Sequence, residues 1–248
     1  MVGTGPGPID LMAQRAIDAI KKAQAVAGYR TYLDLISGLL APGQEIIGSG
    51  MMQEVERCQK ALELAEQGKY VALVCGGDPG IYAMAGLVFE LARVNGTHPE
   101  IEIIPGISAL NACAALLGAP LMHDFAAISL SDLLTPWKVI EKRLRLAAEA
   151  DFVIALYNPA SKRRQGHLKR ARDIILEHRR PETPAGIVTG AFRQGQSIRL
   201  ASLEGLTGDN HGVNMHSTVI IGNSRSFTWN GHMITPRGYE KKYSYWQS

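Results

Sequence analysis

Apolar positions along the chain follow two periods. Short continuous runs alternate with stretches carrying an apolar residue every three or four positions, the pattern of an α/β protein. Residues 9–22 place Ile9, Met12, Ala16, Ile17 and Ile20 on one helical stripe, with Lys21 and Lys22 at its end, where they suit the helix dipole. Residues 25–29 read as a short strand. Residues 53–67 predict a helix with Val55, Cys58, Ala61, Leu62 and Ala65 inward, stopped by Gly68. The run 70–75 predicts a buried strand, broken by Gly76-Gly77-Asp78-Pro79-Gly80, and helical spacing resumes over 81–94. Residues 101–104 predict another strand, closed by Pro105-Gly106 and followed by a small-residue helix over 107–117.

Gly118-Ala119-Pro120 has the composition of a junction, which predicts two α/β domains, 1–118 and 119–248. In the second, 125–130 and 152–157 read as strands, 136–149 as a helix, and 162–179 as a charged helix stopped near Pro181. Three further strands, 185–189, 197–203 and 218–222, follow without long helices between them. The expected fold has a mainly parallel sheet in the N-terminal half and a mixed sheet in the C-terminal half.

The 248 residues are 46% hydrophobic and 20% charged, too apolar for intrinsic disorder. No apolar run approaches the roughly 18 residues of a membrane-spanning helix, and the first residues lack the pattern of a secretory signal. Cys58, Cys75 and Cys113 lie far apart without a CxxC pair, against a disulfide framework or a cysteine-rich metal site. A cytoplasmic protein with reduced thiols is expected. Net charge is +3, too mild for a nucleic-acid partner and compatible with a small anionic substrate. The basic residues Lys162, Arg163, Arg164, His167, Lys169, Arg170 and Arg172 cluster, the pattern of a solvated helix face.

Candidate chemistry sits in the glycine turns. Gly3-Thr4-Gly5-Pro6-Gly7 lets backbone N–H groups approach a ligand without a Cβ clash. Pro8 breaks GxGxxG and only Met1 and Val2 precede the loop, so a nicotinamide cofactor fits poorly. The Gly76–Gly80 bend, numbered 76–80, lies at the strand end where open α/β sheets bind ligands, and lacks the Lys-Ser/Thr of a phosphate loop. Its Asp78 is suited either to accept from an amine or ribose hydroxyl or to cap its own bend. Pro105-Gly106-Ile107-Ser108-Ala109 and Leu156-Tyr157-Asn158-Pro159 are two more small turns at strand ends, and together these favour a ligand crevice. His211 and His216 lack a third ligand at convincing spacing, so no metal is expected. The remaining histidines, His167 among them, read as surface or hydrogen-bonded residues. GxSxG is absent.

In order and spacing these turns resemble the tetrapyrrole methyltransferases of cobalamin biosynthesis, over essentially the whole chain. Ile128-Ser129-Leu130-Ser131-Asp132-Leu133-Leu134-Thr135-Pro136-Trp137, Leu156-Tyr157-Asn158-Pro159-Ala160-Ser161, Thr189-Gly190-Ala191 and Ser217-Thr218-Val219-Ile220-Ile221-Gly222-Asn223 resemble the branch acting on C17. The resemblance implies two α/β domains with S-adenosylmethionine in the cleft between them. It places Gly77, Asp78 and Ile81 at the methionine and ribose, Ser108 and Ala109 nearby, and Tyr157, Asn158, Ala191, Ser217 and Thr218 around the adenine. Thr4, Gly5 and Pro6 would face the macrocycle. Arg30, Lys162, Arg163 and Arg193 follow strand ends and are candidates for its carboxylates.

The implied reaction is methylation of C17 of precorrin-3B or its cobalt-containing counterpart, with coupled ring contraction, S-adenosylhomocysteine as co-product and a homodimer as the working form. Alignment of donor and acceptor is the main task, so no protein nucleophile is needed. Contraction needs proton management, for which Asp132 and Ser129 are the candidates, their alternative being a capped turn before Trp137. Two other readings remain: a relative that methylates RNA or a modified protein residue, and a non-catalytic carrier of a tetrapyrrole precursor. The mild charge and the motifs at 129–137 and 157–159 argue against the first, and turnover of labelled methyl groups separates the second.

Overall fold

The computed structural model describes residues 1–161, 164–206 and 212–243 and divides into two units, Met1–Ala109 and Leu110–Ser248. The first unit runs β1 (Val2–Gly3), α1 (Gln14–Lys22), β2 (Ala25–Tyr29), α2 (Arg30–Leu35), β3 (Glu45–Ser49), α3 (Glu54–Glu66), β4 (Val71–Cys75) and α4 (Ala85–Asn95). Its four strands form a parallel sheet in the order β1-β4-β2-β3. Side chains along β2 and β4 alternate between faces. Val26, Ala72 and Val74 pack with Ala16, Ala19 and Ile20 of α1, whereas Ala27, Leu73 and Cys75 pack with Cys58, Leu62 and Val88 of α3 and α4. Both faces are therefore covered, which is why these strands read as unbroken apolar runs.

Several boundaries depart from the sequence reading. The stripe over 9–22 is interrupted, because Met12 and Ala13 take extended backbone between a 3-10 turn at Ile9–Leu11 and α1. Of residues 101–104 only Ile104 pairs, by an isolated bridge to Val2, and no strand forms there. Helical structure after the glycine bend begins at Ala85, since Tyr82 holds a left-handed φ of 51°. In α3, Val55 is exposed while Arg57 is buried, its guanidinium donating to Ser49 Oγ (2.5 Å) and the Gly50 carbonyl (3.1 Å).

The second unit runs α5 (Ala109–Leu117, whose first residue ends the first unit), β5 (Gly118–Ala119), β6 (Phe125–Ser129), α6 (Trp137–Glu149), β7 (Val153–Tyr157), α7 (His167–Leu176), β8 (Pro184–Thr189), β9 (Ser197–Ser202), β10 (Ser217–Ile221), β11 (Phe227–Trp229) and β12 (His232–Ile234). Its five-stranded sheet has the order β6-β7-β10-β8-β9, with β6–β7 parallel and the other pairs antiparallel, the mixed sheet expected. Helices α6 and α7 cover one face through Ile140, Leu144, Leu168, Ala171 and Ile175. On the other face Leu110, Cys113, Ala114 and Leu117 of α5 pack with Val153, Ala155, Val188 and Ile220. This packing places α5 with the second unit. Gly118 and Ala119, expected as a junction, instead pair with Met233 and Ile234.

Candidate functional site

Three turns at carboxyl ends in the first unit meet backbone to backbone. Gly5 and Gly77 exchange two hydrogen bonds, Gly5 N–H to the Gly77 carbonyl at 3.1 Å and Gly77 N–H to the Gly5 carbonyl at 2.7 Å. A Cβ on Gly106 would lie 2.2 Å from the Gly77 carbonyl oxygen, and one on Gly3 would lie 2.6 Å from Gly106 N, so only glycine fits. Asp78 joins two of the turns: Oδ1 accepts the Gly80 N–H at 2.8 Å and Oδ2 the Gly106 N–H at 3.1 Å.

Thr4, Gly5 and Pro6 are all buried, and the Thr4 hydroxyl donates to the Cys75 carbonyl at 3.0 Å. That bond ties the turn to the end of β4 and leaves the hydroxyl oxygen able to accept. Ile81 is exposed, Ser108 buried, and Arg30 exposed at the start of α2. A cavity of about 130 Å³ in this unit is lined by Met1, Val71 and Ile101, at the amino ends of β1 and β4 and away from these turns.

The second unit brings its own candidates past the carboxyl ends of β6 and β7. Tyr157 Oη accepts the Leu110 N–H at 2.9 Å in the first turn of α5. Asn158, at a left-handed φ of 52°, donates from Nδ2 to Ser129 Oγ at 3.0 Å, and that oxygen also accepts the Ser131 N–H at 3.2 Å. Arg164 donates to Ser131 Oγ, and its Nε to Ser161 Oγ at 3.2 Å. Asp132 Oδ2 stands 3.1 Å from His167 Nε2, and this hydrogen bond holds the carboxyl below its ordinary range.

The hydroxyls expected near the adenine are also engaged. Ser217 Oγ pairs with Thr189 Oγ1 at 2.6 Å and accepts the Asn214 N–H at 3.0 Å. Thr218 is buried against Cys113, whose thiol is pushed up to about 11 by burial, opposed by its hydrogen bond with Thr218. Ala191 sits in a turn between two left-handed residues, Gly190 and Phe192, and Arg193 N–H closes that turn on the Gly190 carbonyl at 2.9 Å. Lys162 and Arg163 lie outside the described residues, as does His211. Among the described residues no group of His, Cys, Asp and Glu is placed to hold a metal ion, and no helix is long and apolar enough to cross a membrane.

His167 reads from the sequence as a surface or hydrogen-bonded residue, with no chemistry assigned to it. It lies 35 positions from Asp132, and tertiary packing, including the parallel pairing of β6 and β7, brings the two together.

Residues 1–207 match the family model described as Tetrapyrrole (Corrin/Porphyrin) Methylases. The chain belongs to this family. It is 49% identical to a probable cobalt-factor III C(17)-methyltransferase of Salmonella typhimurium, covering 96% of this chain and 98% of that one. It is also 49% identical to a cobalt-factor III methyltransferase of Priestia megaterium, of which it spans 45%. A precorrin-3B C(17)-methyltransferase of Sinorhizobium is 43% identical over 90% of this chain and 87% of that one. Among solved structures, the methyltransferase CobJ superposes with a TM-score of 0.88 at 36% identity, over 95% of this chain and 98% of that one. The resemblance drawn from the motifs, to the family and to its C17 branch, is borne out.

Proposed function

We propose that this chain is an S-adenosylmethionine-dependent methyltransferase of corrin synthesis. It methylates C17 of precorrin-3B or its cobalt-containing counterpart with coupled ring contraction, as a cytoplasmic homodimer. The observation that carries the reading is the conjunction of fused glycine turns in the first unit with the Ser129–Asn158 and Asp132–His167 contacts in the second, in a chain whose named relatives are C17-methyltransferases.

The residues fit the methyl donor by their chemistry. Gly77, Asp78, Ile81, Ser108 and Ala109, with Tyr157, Asn158, Ala191, Ser217 and Thr218, supply backbone turns, hydroxyls, an acceptor carboxylate and small apolar groups. None of them is a thiol or amine that a sulfonium would alkylate. When bound, the donor supplies an electrophilic methyl group. The chain's own part is to hold and align: Asp78 fixes the turns that take the methionine and ribose end, and the Ser217 and Asn158 contacts fix those that take the adenine. In this reading Thr4, Gly5 and Pro6 face the macrocycle, and Arg30, which is exposed, joins Arg193 and Lys162 as cations for its acetates and propionates. Ser129 and Asp132 are already hydrogen-bonded within the protein, so their part beside the reacting ring is positioning.

Titration of the purified chain with S-adenosylhomocysteine tests the reading. Binding near one to one with a micromolar Kd is expected. Absence of binding to folded protein would overturn it in favour of a tetrapyrrole carrier.

A further inference from the structure

We propose that His167 takes up the proton released when the ring is methylated, with Asp132 as its positioning residue. The proposal rests on the methyltransferase reading above and deepens it by naming the group that handles the proton.

The imidazole is held from two sides. Nε2 faces Asp132 Oδ2 at 3.1 Å, and the Trp137 ring packs edge-on at 4.7 Å between centroids, 90° between planes. Trp137 is itself fixed by the Arg170 guanidinium, 4.3 Å above its ring. A carboxylate on Nε2 selects the neutral tautomer that donates Nε2–H and leaves a lone pair on Nδ1. Among the described residues, Nδ1 takes no hydrogen bond. The side chain is 14% exposed, dry enough to keep its orientation and open enough to be reached along an edge. Among the described residues, the charged groups around the ring are Asp132 from the loop after β6, Arg164 ahead of α7, whose charge acts on Asp132, and Arg170 on α7 itself.

Other groups of the loop suit the task less. The Asp132 carboxyl is held below its ordinary range by His167, which makes it a weak base and a good counter-ion. Ser129 Oγ already accepts two hydrogen bonds. Imidazole is also the side chain whose ordinary titration spans neutral pH. A ligand is indicated independently by Leu133 and Leu134, which follow Asp132 and are 73% and 98% exposed. Two adjacent leucines offered to solvent beside a proton acceptor suit a flat, largely apolar ring.

The step balances without an added oxidant or reductant. A π pair of the ring forms the new C–C bond while the C–S pair stays on sulfur, and the ring gains one positive charge. Loss of one ring proton to Nδ1 returns a pair to the π system and leaves an imidazolium against the Asp132 carboxylate. Solvent then removes that proton.

Two measurements test this. In nitrogen-15 NMR spectra of the full chain, the neutral His167 ring should be the Nε2–H tautomer and should lose that preference in Asp132→Ala, which removes the acceptor; an unchanged tautomer would overturn the pairing. In single turnovers with labelled S-adenosylmethionine and the tetrapyrrole substrate, His167→Gln should bind S-adenosylhomocysteine within about twofold of wild type. It should transfer methyl about 100-fold more slowly and lose the acid limb of the pH–rate profile. A rate within threefold of wild type, or a slow variant that keeps the acid limb, would overturn His167's role alone. A wild-type chain that neither binds S-adenosylhomocysteine nor transfers methyl would overturn the functional reading, and this proposal with it.

Discussion

Asp78 Oδ2 accepts the backbone N–H of Gly106 at 3.1 Å, tying the turn after β4 to the turn ahead of α5. With Oδ1 on Gly80, both oxygens of the carboxylate hold backbone in place. Asp78 thus sets the shape of the turns it joins, and under the proposed function it acts on the methyl donor through that shape. Replacing it with alanine leaves two N–H groups without that acceptor. The expected result is a loss of about 1 kcal/mol or more in S-adenosylhomocysteine affinity, measured by titration calorimetry. Asp78→Asn, which keeps an acceptor oxygen, should fall between wild type and alanine. Equal affinity in all three would show that the turns hold without the carboxylate.

Gly106 meets the Gly77 carbonyl where any Cβ would sit 2.2 Å from oxygen. The obstacle is backbone, so relief requires moving a turn rather than a side chain. Gly106→Ala should cost about 1–3 kcal/mol, the range for overpacking, seen as a lower midpoint in urea unfolding. Gly86, with nothing within 4 Å of its Cβ position, is the control, and Gly86→Ala should leave stability unchanged or raise it.

Arg179 is 4% exposed and joins Asp151 at 3.2 Å and the Phe152 carbonyl at 3.2 Å, with a further bond to the Ala148 carbonyl. Asp151 is itself 41% exposed and also accepts from Ser224, so removing the arginine does not strand a buried charge. Arg179→Ala should therefore cost about 1–3 kcal/mol, for lost hydrogen bonds and packing, rather than the larger penalty of a severed buried pair. Denaturation midpoints of the variant and of Asp151→Asn check this.

The three described cysteines are buried, and Cys58 and Cys113 are pushed up to about 11, chiefly by burial. At pH 8 both are almost wholly protonated and shielded, so native protein should resist iodoacetamide while denatured protein takes it at all three sites. Mass spectrometry of the two samples decides. Native alkylation of Cys113 would show that the contact between α5 and the sheet opens readily.

The hydrogen bond from His167 lowers the Asp132 pKa. A carboxyl depressed on folding contributes stability that is fully present above its ordinary, unfolded pKa and is lost as pH falls through the lowered folded value. In His167→Gln the Asp132 midpoint, followed by NMR, should move back toward the ordinary aspartate range. A midpoint that stays low would assign the shift to Arg164.

Much of the fold was legible because its strands are covered on both faces. Continuous apolar runs marked β2, β4 and β7, and the glycines of the three turns marked where strands end. Strand β3 escaped notice: it is an edge strand whose Glu45, Ile46 and Gly48 are exposed and give no period. Helix α2, at six residues, is too short to show one. Residues 101–104 have the composition of a strand but pair only through Ile104. At the site, the residue types needed in tight turns were readable, whereas contacts set by tertiary pairing were not. Asp132 was singled out for its motif, but nothing in the local sequence joins it to His167. Likewise, nothing near Thr4 in the sequence announces that its hydroxyl donates to the carbonyl of Cys75, 71 positions away.

The most direct test of the account is turnover of the purified chain with carbon-13 methyl-labelled S-adenosylmethionine and precorrin-3B or its cobalt-containing counterpart, read by NMR of the product. The account predicts one labelled methyl group per macrocycle, on C17 of a contracted ring, with equimolar S-adenosylhomocysteine. A substrate that binds and is recovered unlabelled, or a label at another ring carbon, would contradict it.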